Sequence, residues 1–193
     1  MVNWCTTAYV IEGNAKELES LYKAMTEVKM GKNPNVEDPF GSVGLLCLVK
    51  SLNGDRSKMD CRGYWKNLEI NGDTLKVTTL TAWKPSNKIL DFICEKFPSL
   101  GYYYRAEESG KLIYETNDRN GKYFPEKYRV EIFTPEEVLH TKYFTELSAV
   151  YGWLEEQSGQ PVKSEAEFET LLAQWRKECA YAYGYIDEFK IVP

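Results

Sequence analysis

Leu68-Glu69-Ile70-Asn71-Gly72-Asp73-Thr74-Leu75-Lys76-Val77-Thr78-Thr79 is the stretch on which the fold turns. Leu68 and Ile70 alternate with polar residues before the turn, and Leu75, Val77, Thr79 and Thr81 alternate after it. Successive strand side chains point to opposite faces, so each run has one apolar side. Asn71-Gly72 supplies the positive φ angles that a tight hairpin needs. Leu68 and Ile70 share a face with Leu75 and Val77 whether the loop is short or one step longer on each side.

Downstream, Lys84-Pro85-Ser86 changes the period. Pro85 disfavours helix at Lys84, and Ser86 is a natural N-cap. Ile89, Leu90, Ile93 and Phe97 then fall on one helical face, which Pro98 closes. Tyr102-Tyr103-Tyr104 opens a strand, and Ser109-Gly110 turns it into Lys111 to Asn117. A two-residue loop there sets Glu115 opposite Tyr104, on a face shared with Tyr102. Cys61 to Asn117 thus reads as strand, strand, helix, strand, strand.

Upstream, Cys5 to Ile11 reads as a strand of pleat-compatible residues. Asn14 and Glu17 form a reciprocal capping pair for a helix with Leu18, Leu21, Tyr22, Met25 and Val28 on one stripe. Residues 29–41 are a loop, broken by Gly31, Asn33, Pro34 and Pro39. Residues 42–52 are apolar nearly all round, and their length with the Asn53-Gly54 stop favours a helix.

With that short helix set aside, the order is β-α-β-β-α-β. The expected fold class is α+β: a ferredoxin-like antiparallel sheet with helices on one face. Residues 1–133 form this core, with added strands at 111–117 and 127–133. Residues 134–193 form a helical and strand extension packed on it. There Thr145 caps a stripe of Leu147, Val150, Tyr151 and Leu154, stopped by Gly159 and Pro161. Ser164 with Glu167 caps a second stripe of Phe168, Leu171, Leu172 and Trp175. Tyr185 to Val192 is a last strand.

Asn3-Trp4-Cys5 before a strand and a capped helix resembles the YubB-like proteins of plasmids, phages and other mobile elements. Cys61-Arg62-Gly63-Tyr64-Trp65 entering the hairpin carries the same likeness. So do Trp83-Lys84-Pro85 leading into a helix and Lys96-Phe97-Pro98 leading out of it. The likeness covers roughly residues 1–130 and departs at Val2, Thr7 and Ser86, where comparable members often have Pro, Asn and Pro. It implies a ferredoxin-like fold and a mobile-element setting, and it brings no catalytic residues.

Composition narrows the function classes. The chain is 43% hydrophobic and 27% charged, ordinary for a globular protein. Nothing approaches the roughly 20 apolar residues that cross a bilayer. Met1 to Cys5 has neither the basic nor the apolar region of a secretory signal. A cytoplasmic protein with no membrane association is the expectation. Its five cysteines are scattered without a Cys-x-x-Cys pair and read as reduced thiols. With a single histidine, His140, neither a zinc site nor any other metal site is expected. From Thr134 onward there are 11 acidic and 5 basic residues, so the tail is the acidic part.

Chemistry is sparse. His140 lacks a nucleophile elbow, and the Glu107-Glu108, Glu136-Glu137 and Glu155-Glu156 pairs diverge rather than converge. Neither common phosphate-binding glycine motif is present. No catalytic residue and no cofactor is assigned, and the reading leans away from an enzyme. What remains is a candidate binding surface of Arg62, Trp65, Trp83, Tyr102 and Tyr104, with Glu115 beside it. Tyrosine, tryptophan and arginine are the residues of protein hot spots. The expected function is therefore a non-enzymatic accessory protein acting through contact with a protein partner. A single-stranded nucleic-acid binder stacking bases on the sheet aromatics is the alternative, although Lys84 to Val130 holds only 9 basic against 7 acidic residues. An enzyme of unrecognised class ranks third. Self-association as a homo-oligomer stays open.

Overall fold

A computed structural model describes residues 3–32 and 37–193. Val2, with Asn33 and Pro34 of the expected loop, lies outside the described residues. The protein is α+β, with five α-helices and nine strands among the described residues. It divides into two compact units: residues 1–119 with 191–193, and residues 120–190.

In unit 1 the chain runs β1 (Trp4–Glu12), α1 (Ala15–Lys29), α2 (Leu45–Ser51), β2 (Gly63–Asn71), β3 (Thr74–Ala82), α3 (Asn87–Lys96), β4 (Gly101–Glu108) and β5 (Ile113–Thr116). The sheet order is β2-β3-β1-β4-β5, with β9 (Lys190–Ile191) on the far edge. β1 pairs antiparallel with both β3 and β4, β2 with β3, and β4 with β5. One face buries Cys5, Tyr9, Ile11, Leu75, Val77, Trp65 and Tyr104 against Leu18, Leu21 and Met25 of α1. Leu45, Leu48 and Val49 of α2, with Ile89, Leu90 and Ile93 of α3, complete that core.

The central hairpin joins the faces as expected, with Ile70 opposite Leu75 and Leu68 packed on the core. Its loop is Gly72-Asp73, because Asn71 pairs with Thr74; Gly72 alone takes the left-handed turn, at φ +59°. A bulge adds a second departure. Lys66 pairs with Thr78 but Glu69 pairs with Lys76, so Asn67 and Leu68 together face the single residue Val77. Trp65 and Leu68 have opposite parity and could not both face the core in a regular strand. The extra residue, with Asn67 at φ +52°, lets both do so.

Caps differ in detail. Asn14 Oδ1 accepts from Lys16 N (2.9 Å), but Glu17 does not reach back to Asn14. Its Oε2 accepts instead from the backbone N and Oγ of Ser99 (3.0 and 2.7 Å), tying α1 to the start of β4. The apolar run at 42–52 is a 3-10 turn, Gly41–Val43, followed by α2, and Asp38 Oδ2 accepts from Leu46 N (3.2 Å) at its head. The β4–β5 loop holds four residues rather than two, because Glu108 pairs with Ile113. Asn117 continues the pairing with its side chain, accepting from Tyr104 N (2.8 Å) and donating to Tyr102 O (3.0 Å).

Unit 2 is a second sheet, order β7-β6-β8, with two helices on one face. Its elements are β6 (Tyr128–Phe133), β7 (Leu139–Phe144), α4 (Leu147–Ser158), α5 (Glu165–Glu178) and β8 (Tyr183–Glu188). From sequence, residues 127–133 are expected in the first region. β6 is instead the central strand here, hydrogen-bonded to β7 and β8, so the division falls before it rather than at Thr134. Val130, Ile132, Val150, Leu154, Phe168, Leu171 and Leu172 form the core. α4 starts at Glu146 without a side-chain cap, so Thr145 does not cap it, and it ends at Gly159 (φ +67°). Ser164 caps as expected, its Oγ accepting from Glu167 N (3.3 Å), but the Glu167 carboxylate accepts from Lys163 N rather than from Ser164 N, so the reciprocal half of the expected box is displaced by one residue. The expected last strand is two, because Phe189 separates β8 from β9.

Candidate functional site

Register decides which aromatics can meet a partner. Along β1, Cys5, Thr7, Tyr9 and Ile11 face the helices, and their partners Tyr104 and Tyr102 on β4 face the same way. Trp65 is 2% exposed and Tyr104 3%. Two of the expected surface residues are therefore interior, because odd-parity positions on β1 and their neighbours carry the core. Tyr102 is half-buried. Tyr9, Tyr102 and Tyr104 pack as a ring trio with centroids 5.9–6.3 Å apart.

Each of the three hydroxyls is spent on a side chain. Tyr9 donates to Asn87 Oδ1 (2.9 Å), Tyr102 to Asp91 Oδ1 (2.7 Å) and Tyr104 to Glu115 Oε1 (3.0 Å). Asn87 and Asp91 are one helical turn apart, so two tyrosines stitch α3 to the sheet. Burial is the first reason that all three phenols are held well above their usual range, with the Asp91 hydrogen bond next for Tyr102 and the Glu115 charge next for Tyr104. They are donors, not bases. Glu115 faces Ala106 rather than Tyr104 in the register, and the Tyr104 hydroxyl reaches it diagonally.

Beyond Glu115 a cavity of about 620 Å3 opens at the head of α3. Lys58, Asp60, Lys84, Asn87, Lys88 and Glu115 line it. Ser86 stands at the N-cap position, yet its Oγ donates to the Asp60 carbonyl (3.3 Å) instead of capping. With ammonium and carboxylate groups interspersed, this wall suits a polar, charged side chain.

The three stretches Asn3-Trp4-Cys5, Cys61–Trp65 and Trp83-Lys84-Pro85 meet at this end of the sheet. Trp83 N donates to Asn3 O (2.9 Å), and Ala82 N donates to Arg62 O (3.0 Å). Gly63 fits there only without a side chain, since a Cβ would sit 2.2 Å from Leu80 O. Trp83 itself is half-exposed in the left-handed region (φ +72°), with Lys111 Nζ 4.9 Å from its ring centre. Arg62 is exposed.

On the sheet face turned away from the helices lies an aromatic cluster that the sequence did not disclose as a surface. Trp4 is 41% exposed, and its ring centre is 5.6 Å from Phe40 and 6.3 Å from Tyr64; Phe40 and Tyr64 are 5.5 Å apart. Trp4 has the parity opposite to Cys5 and Tyr9, a signal available in the sequence; Phe40 offered none.

Among the described residues no three His, Cys, Asp or Glu side chains gather as metal ligands. None of the five cysteines forms a disulfide; burial pushes the Cys5 and Cys61 thiols up to about 11. His140 lies on β7, edge-on to Trp153 at 6.3 Å. No helix among the described residues is long and apolar enough to cross a membrane. No protein-family model, curated protein or solved structure matches the chain.

Proposed function

We propose that the chain is a cytoplasmic, non-enzymatic binding protein, accessory to a mobile element, whose unit 1 is a ferredoxin-like domain of the YubB-like kind. The antiparallel order β2-β3-β1-β4 with α1, α2 and α3 on one face supports the fold reading. The meeting of the three quoted stretches at one end of that sheet supports the family reading.

Its partner is a protein, and the observation that carries this is the Trp4–Phe40–Tyr64 cluster beside the exposed Arg62 and half-exposed Trp83. Aromatic rings already packed against one another lose little freedom on binding, which is how hot-spot anchors work. Trp4, Tyr64, Arg62 and Trp83 take the place of the interior Trp65 and Tyr104. Unit 1 balances 16 basic against 16 acidic residues, which favours a protein over the phosphate backbone of a nucleic acid.

Native mass spectrometry of the chain purified from its own host tests this, alongside a Trp4→Ala/Tyr64→Ala variant of unchanged melting temperature. A discrete protein increment on the natural chain that the variant lacks is expected. An increment that survives the substitutions, or added mass that nuclease removes, overturns the reading.

A further inference from the structure

Unit 2 has a cavity of its own, about 350 Å3, where the heads of α4 and α5 meet the edge strand β8. Four aromatic rings line it: Tyr128, Tyr151, Phe168 and Tyr185. Phe168 lies over Gly184, where a Cβ would come within 2.6 Å of its ring, so this ring is wedged in place. Tyr185 is 59% exposed at the rim.

Leu147 and Ile186 add aliphatic surface, and three carboxylates, Glu165, Glu169 and Glu188, also line it. All three are exposed, and none makes a hydrogen bond or ion pair among the described residues. No lysine or arginine lines the cavity, in contrast to the mixed wall at the head of α3. The unit as a whole carries 13 acidic and 8 basic residues, so the entire net charge of −5 resides in it.

Rings and carboxylates together narrow the ligand. An anion would meet uncompensated negative charge. A purely apolar group would strip water from three carboxylates without replacing their hydrogen bonds. A cation with an apolar stem satisfies both halves of the lining: its charge meets the carboxylates and the negative faces of the rings, and its methylenes cover aromatic carbon. The N-terminal turn of α5 has a positive dipole end that would oppose a cation, but Ser164 caps it and Glu165 and Glu167 offset it. The surrounding negative field draws cations toward the site.

We infer that this cavity binds a primary alkylammonium group, whose three N–H donors have three acidic acceptors. Either a free aliphatic amine or the side chain of a lysine presents that chemistry.

Calorimetric titrations and aromatic proton spectra of the full chain test it. The probes are 1,4-diaminobutane, Nα-acetyl-lysine methylamide and the neutral 1,4-butanediol. Tyr151 and Tyr185 ring resonances should shift with an ammonium probe and not with the diol. Glu169→Gln with Glu188→Gln should weaken binding about threefold or more, as should Tyr151→Leu. Response to the diamine alone identifies a free amine as the ligand, and response to the lysine derivative identifies a lysine side chain; both support the site. Silence toward both amines at millimolar concentration, an equal response to the diol, or unchanged affinity in the double glutamine variant overturns it. The two glutamates are exposed, so that variant keeps the test usable if Tyr151→Leu fails to fold.

Discussion

The backbone N–H of Trp83 donates to the carbonyl of Asn3 across 2.9 Å, and Trp83 does so with its backbone at φ +72°. A bulky residue in that region pays a local steric cost that its surroundings must offset. Comparing Trp83→Gly with Trp83→Ala isolates it, because both lose the ring and only alanine keeps the strain. Glycine should be the more stable by about 1 kcal/mol in urea unfolding; equal stabilities would mean that the backbone relaxes.

Tyr104 and Glu115 are coupled by a hydrogen bond whose phenol is interior. Glu115→Ala takes away its acceptor and should cost about 1–2 kcal/mol, more than Tyr104→Phe with Glu115→Ala costs beyond Tyr104→Phe alone. A double-mutant cycle should give about 1 kcal/mol of coupling. A coupling near zero would place Glu115 outside the structural network and return it wholly to the cavity.

Alkaline pH should destabilise unit 1 in two stages. Burial raises the Cys5 thiol from 9.0 to about 11, so the folded state favours the protonated form. That contribution is complete below pH 9 and is lost as pH rises toward 11, about 3 kcal/mol in all. Tyr9, Tyr102 and Tyr104, all raised, add to the loss from pH 10 upward. Cys61, raised by burial to about 11 as well, adds to the fall over the same range, so Cys5→Ser should make it shallower between pH 9 and 10 in a melting-temperature series without abolishing it, and leave the steeper part beyond.

Unit 2 holds a nearly buried guanidinium, Arg129, between the carboxylates of Glu131 and Asp187, the latter at 3.2 Å. Arg129→Met leaves two acids sharing a site without their cation and should cost about 3–5 kcal/mol. Hydrogen exchange should quicken across Tyr128–Phe133 while β1 and β3 keep their protection. Unchanged exchange in β6 would show that the carboxylates find solvent instead.

How much of this was legible follows from burial. Leu68, Ile70, Leu75 and Val77 announced their shared face because a half-buried hairpin enforces period two. The bulge at Asn67 was silent, since its only trace is that Trp65 and Leu68 differ in parity. β7 went unread for a related reason: in Leu139–Phe144 only Phe144 is buried, so an edge strand with so little core contact prints no apolar alternation. Tyr102 and Tyr104 were placed on one face correctly, but three consecutive tyrosines cannot say which face the helices cover. That ambiguity set interior residues on the expected surface and hid Trp4 and Tyr64, the rings that solvent does reach.

The chain leaves unit 1 at Arg119 and returns at Ile191, where Val192 N donates to Thr116 O at 2.9 Å. During synthesis the last edge of the first sheet is therefore made after the whole of unit 2. β5 waits as an uncovered template while residues 120–190 leave the ribosome. The closing strand arrives only once the guest has been translated, so completion of the host sheet reports that the insert is present.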